Sequence, residues 1–66
     1  MAAADLEVRE TEIERIERWR AEELERAGYT ARDAQKLAQR HDVDLHRAID
    51  LIRHGCSPDL ALAILL

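Results

Sequence analysis

Residues 24–52 read LERAGYTARDAQKLAQRHDVDLHRAIDLI, and the fold turns on this stretch. Leu24 and Ala27 close an apolar stripe at the end of one helix, and Gly28 is its stop. Thr30 stands where a helix cap is wanted, and the spacing predicts a second helix over 31–41 with Ala34, Leu37 and Ala38 on its inner side. Asp42, Val43 and Asp44 make a short polar turn in which either aspartate can cap the next helix. That third helix is predicted over 45–54, with Leu45, Ala48, Ile49 and Ile52 turned inward and Gly55 as its stop.

The chain has 66 residues, which is room for a single domain. A domain so small buries only about 60% of its unfolded surface, and its core rarely supplies more than about 3–5 kcal/mol of net stability. Its apolar residues are almost all Ala, Leu and Ile, with no Phe, one Trp, one Tyr and two Val. Together with abundant Arg and Glu, this composition favours helix and leaves little to build strands, so the fold class is all-α.

The formal net charge is −4, and residues 1–29 hold nine acids against five arginines. That balance argues against nonspecific nucleic-acid binding. The single cysteine excludes an internal disulfide. The start MAAADLEVRE has neither a basic head nor an apolar run, and Leu60–Leu66 is far too short to cross a bilayer. A cytoplasmic protein without membrane contact is expected, and nine Arg against one Lys suggests a GC-rich genome.

Working outward, residues 1–4 are expected to be disordered, and Asp5 could cap an early helix start. Thr11-Glu12-Ile13-Glu14 has the form of a capping box, so the first helix begins at one of these and runs to Ala27. Its apolar stripe comprises Leu6, Ile13, Ile16, Leu24 and Ala27, with Trp19 at the edge. Glu14 to Arg18 and Glu22 to Arg26 are predicted ion pairs along its outer side. The stripe can serve the domain or a second helix from another chain; Arg20 on the seam argues against a strict coiled coil.

On the other flank, Ser57-Pro58-Asp59 is a helix start, and a fourth helix is predicted over 58–66. LALAILL is apolar on every side, as in helices that are buried or that form interfaces. The domain is expected to cover Leu60, Ala61, Ile64 and Leu65, leaving Leu62 and Leu66 as an exposed patch that wants a partner, either this chain or another protein.

The central block resembles the ubiquitin-associated (UBA) domain and its relatives, the CUE domain and the N-terminal domain of elongation factor Ts. The residues that carry the likeness are Leu24, the Ala27-Gly28-Tyr29 loop, Ala34, Leu37 and Ala38, then Leu45, Ala48, Ile49 and Ile52. The likeness covers under half the chain; Ala27 stands where the family often has Met, the first helix is longer, and the fourth is additional. It implies a three-helix centre with a binding surface on the loop after the first helix and on the third helix. Here those positions are Ala27, Gly28, Tyr29, Leu51 and Ile52. Tyr29 can be an anchor at that surface or pack on the core with its hydroxyl in water. The chain is also similar to short helical proteins of actinobacteria that end in Gly-Cys-x-x-x-x-Ala-x-x-Ile-Leu, a likeness without functional content.

Other readings weaken on inspection. As a helix-turn-helix, the third helix would put His46 and Arg47 in the major groove, with Arg32, Lys36 and Arg40 on phosphates. Asp42, Asp44 and Asp50 then stand where phosphates would lie, which disfavours DNA. His41, Asp42, Asp44, His46, His54 and Cys56 could ligate metal, but His41 and His46 are five apart and no Cys-x-x-Cys or His-x-x-x-His is present to anchor zinc. Cys56 has His54 nearby but no third group, oxyanion site or pocket, and no catalytic residue, metal or cofactor is assigned. The expected protein is a small four-helix bundle that acts in protein–protein interaction, as an adaptor or assembly subunit. The alternatives are a helix-turn-helix regulator and a self-assembling structural unit.

Overall fold

A computed structural model describes residues 11–66. Asp5, Leu6 and the expected disorder of residues 1–4 lie outside the described residues. Four helices make up the rest: α1, Glu12–Ala27; α2, Ala31–Gln39; α3, Leu45–Arg53; and α4, Pro58–Leu65. The protein is an all-α bundle in which α1 packs against both α2 and α3, and α4 packs against α3.

Each start is fixed by a side chain. The Glu14 amide donates to Thr11 Oγ1 at 3.1 Å and the Thr11 amide donates to Glu14 Oε1 at 2.9 Å, which completes the capping box. Thr30, Asp44 and Ser57 accept from Asp33, His46 and Leu60 in the same role for α2, α3 and α4.

The stops of α1 and α3 are one device used twice. The Tyr29 amide donates to the Leu24 carbonyl and the Gly28 amide to that of Glu25. Correspondingly, the Cys56 amide donates to Leu51 and the Gly55 amide to Ile52. Both are Schellman turns, and both need a glycine, at φ +132° for Gly28 and +95° for Gly55. The residue after each glycine turns inward, and the next one caps the following helix: Gly28-Tyr29-Thr30 and Gly55-Cys56-Ser57. The match extends outward. Ala21, Leu24 and Ala34 in the first hairpin are answered by Ala48, Leu51 and Ala61 in the second. The two corners thus repeat one pattern of residues, 27 positions apart in register.

The core contains Ala21, Leu24, Tyr29, Ala34, Leu37, Ala38, Val43, Leu45, Ala48 and Ala61. Ala34, Ala48 and Ala61 are fully enclosed, because small residues let the helices approach closely. Ile49, Leu51, Ile52, Cys56, Leu62 and Leu65 pack around them, half-buried.

Several expectations are corrected. Helix α2 stops at Gln39 rather than 41, since Arg40 is already extended at ψ 93°. Helices α3 and α4 each stop one residue short of the predicted 54 and 66. Arg26 pairs with Glu23, three residues back, rather than with Glu22. Of the two uses open to the α1 stripe, Ile13 and Ile16 do not serve the domain: they are 59% and 48% exposed, and Trp19 at the edge is 54% exposed. The reason is length: the nine-residue α2 runs back along only the last part of the 16-residue α1, at about 1.5 Å per residue. Residues 12–16 of α1 overhang the bundle.

Helix α4 is rotated from the expected setting. Ala61 makes the close approach, so Pro58, Ala61, Leu62 and Leu65 form the inner side. Leu60 and Ile64, expected to be covered, are 55% and 48% exposed. Leu62, expected in water, is half-buried against the core, whereas Leu66 is exposed as anticipated, at 50%.

Candidate interaction surfaces

The Gly28 corner sets the first surface. A Cβ placed on Gly28 would lie 3.5 Å from Ile52 Cγ2, so the loop and α3 are in contact there. Ala27 and Ile49 line a shallow groove beside them with Glu23, Arg26 and Arg53 on its rim. The structure therefore brings together Ala27, Gly28 and Ile52. Leu51 is half-buried in the adjoining shell around Cys56, where it accepts the Cys56 amide.

Tyr29 takes the core alternative. It is 3% exposed, and its hydroxyl, rather than reaching water, donates to the Ala48 carbonyl at 2.8 Å. Burial pushes the phenol above its usual range, and the neighbouring Cys56 adds to the effect. As the inward residue of a Schellman turn, Tyr29 packs between the two hairpins and offers nothing to a partner.

The second surface is the outer side of α4, where Leu60, Ala63, Ile64 and Leu66 are all exposed and none is charged. A third lies on the first half of α1, with Ile13 and Ile16 on the overhang and Trp19 next to it along the helix. Leu62 belongs to neither, because it packs inward.

Sequence reasoning missed Arg20. From the middle of α1 its Nη2 donates to the Val43 carbonyl at 2.8 Å and to that of Arg40 at 3.4 Å. These carbonyls belong to the turn that ends α2, where a cation also suits the helix dipole. One turn earlier, Glu17 pairs with His41 at 2.7 Å. Arg40 closes the turn on itself with a two-pronged contact to Asp42, and that pairing holds the Asp42 carboxyl below its usual range. The signal available in the sequence was a long cation interrupting an apolar seam. Arg20→Met keeps the apolar stem but frees both carbonyls. We expect it to cost about 1–3 kcal/mol in urea unfolding and to raise amide exchange selectively across 40–44.

Among the described residues, no three His, Cys, Asp or Glu side chains converge on one point. His41 is held by Glu17, and His54 Nδ1 lies 2.7 Å from the Asp50 carbonyl. No described helix is long and apolar enough to cross a membrane. No family model matches the chain, and comparison with curated proteins and with solved structures likewise finds no match.

Proposed function

We propose that the protein is a non-enzymatic protein–protein interaction module, an adaptor or assembly subunit that acts by burying apolar helix surface. The observation that carries this reading is the set of large apolar side chains left about half-exposed among the described residues: Ile13, Ile16, Trp19, Leu60, Ile64 and Leu66. They fall into two patches rather than scattering singly, and contiguous apolar patches mark interaction sites. The groove at Ala27, Ile49 and Arg53 is a further candidate contact, in line with the proposed UBA-like character of α1–α3. There Ala27, Gly28, Ile52 and Leu51 would serve, with Tyr29 supporting them from below. The DNA-binding alternative is weaker, because Arg40 is committed to Asp42 and is not free for phosphate.

Affinity capture of the tagged chain from lysate of its own organism, with and without nuclease, tests this. The expected result is a protein retained after nuclease and lost from Ile64→Asp or from Ile52→Asp. Retention that vanishes with nuclease would instead establish nucleic-acid binding.

A further inference from the structure

Both apolar patches sit at the same end of the bundle. Helix α1 meets the 40–43 turn through Glu17 and Arg20, so residues 13–16 lie beyond that turn. The last turn of α4 reaches the same place: Ile64 and Leu65 line one groove with Asp42, Asp44 and Arg47. The seam of α1 continues into the overhang without a break. Leu24, Arg20 and Ile13 follow one another on a single side, with Ile16 one turn from Arg20. Beside Leu24 that side meets the core; at Ile13 nothing among the described residues stands opposite it.

The repeated hairpin shows what α4 lacks. By register, Ile64 is the counterpart of Leu37 and Leu60 that of Asp33. Leu37 is fully buried, since α1 lies along α2 and Val43 and Leu45 close over its end. Ile64 has an inner neighbour in α3 but, among the described residues, no second helix on its outer side. A further amphipathic helix laid there would give α4 the cover that α2 enjoys, and the α1 overhang is a helix segment of that kind.

Area decides between one patch and two. A half-exposed Leu, Ile or Trp offers on the order of 100 Å² to bury. Either patch alone then offers roughly 300 Å² per chain, well under the ~800 Å² per partner of a standard interface. Both patches used at once come close to it, once the flanking residues are included.

We propose that the occupant of these patches is a second copy of this chain. In a two-fold dimer, the first half of α1 of each copy lies across α4 of the other, seating Ile13, Ile16 and Trp19 against Leu60, Ala63, Ile64 and Leu66. A two-fold arrangement of this kind closes on itself and buries all four patches together. This inference rests on the interaction-module reading and names its partner.

Trp19 is the only tryptophan in the chain, so it reports on this contact directly. Sedimentation equilibrium and Trp emission would be measured together over micromolar to millimolar concentration. The mass should rise from 7.6 kDa toward twice that value, with a blue shift of the emission over the same range. Ile64→Asp, on a half-exposed position and on a different helix from the tryptophan, should raise the dissociation constant at least ~30-fold and abolish the shift. Leu60→Glu serves as a second variant, with circular dichroism confirming that each stays helical.

An equal mixture of Ile16→Asp and Ile64→Asp chains should associate better than either alone, because one α1–α4 contact in the mixed dimer is intact. A mass of 7.6 kDa throughout overturns the proposal, yet leaves a partner retained in the capture experiment standing. Association with unshifted emission, or without rescue in the mixture, overturns the α1–α4 arrangement.

Discussion

Leu37→Ala is expected to leave most of the chain unfolded at 25 °C. Leu37 and Leu24 are the largest side chains that are completely enclosed. Leu37 sits on the inner side of α2, within the cluster that Leu24, Val43 and Leu45 also join. Truncating a buried leucine costs about 2–5 kcal/mol, from lost transfer energy plus the cavity left behind. A domain of this size has roughly 3–5 kcal/mol to lose. The two figures overlap, so the substitution removes most or all of the margin. Far-ultraviolet circular dichroism and the urea midpoint measure it directly; a midpoint within a few tenths molar of the wild type would show that α2 contributes little. Ile64→Ala is the matched control, half-exposed on the corresponding position of α4, and should change the unfolding of the monomer only slightly.

The second large effect is expected at Tyr29. Tyr29→Asp would place a carboxylate among Leu24, Ala48 and Cys56, with no cation to pair it, and buried unpaired charge is not tolerated in a core this thin. Helicity should collapse. Retention of helicity would mean that the corner opens readily and that Tyr29 can reach the surface.

Tyr29→Phe isolates the hydroxyl. Losing its bond to the Ala48 carbonyl should cost about 0.5–1.5 kcal/mol and leave the fold intact. The raised phenol pKa has a definite sign. Unfolding returns the phenol to its ordinary value near 10, so at higher pH the unfolded chain loses its proton first. The stabilisation is complete below about pH 10 and disappears as pH rises through the folded-state value. Thermal melts between pH 8 and 12 should therefore fall on the alkaline side, and less so in Tyr29→Phe.

What the sequence made legible was mostly local. Thr11, Thr30 and Ser57 announce their helices because a cap acts within three residues, and they operate as expected; of the two aspartates open for α3, Asp44 is the one that caps. The inner sides of α2 and α3 came from 3.6-residue spacing, as Ala34, Leu37 and Ala48 show. Periodicity failed on α4, where every position is apolar and no side is marked. There the small Ala61 decided the rotation, through a contact distance that spacing does not encode. It failed again on α1, where Ile13 has the right phase but lies beyond the reach of α2.

The surfaces were harder to read than the fold. Gly28 and Ile52 do meet, but Tyr29 faces inward, since the residue after a Schellman glycine packs back on its own helix. Arg20 was legible only as an anomaly. Its partners are the Arg40 and Val43 carbonyls, some twenty residues further along the chain, and no local pattern points to them.

The doubled corner has a consequence for how the molecule ends. Arrays of stacked helical hairpins stay soluble because the outermost unit turns a polar flank to water. The first hairpin here has such a flank, with Arg32, Gln35, Lys36 and Gln39 exposed along α2. By the same register the second hairpin places Asp59, Leu62, Ala63 and Leu66 there, of which Ala63 and Leu66 are exposed and apolar. The flank of α4 is thus less polar than that of α2 at these positions. Rewriting it by Leu60→Asp, Ala63→Lys and Leu66→Gln would give α4 a polar flank like that of α2.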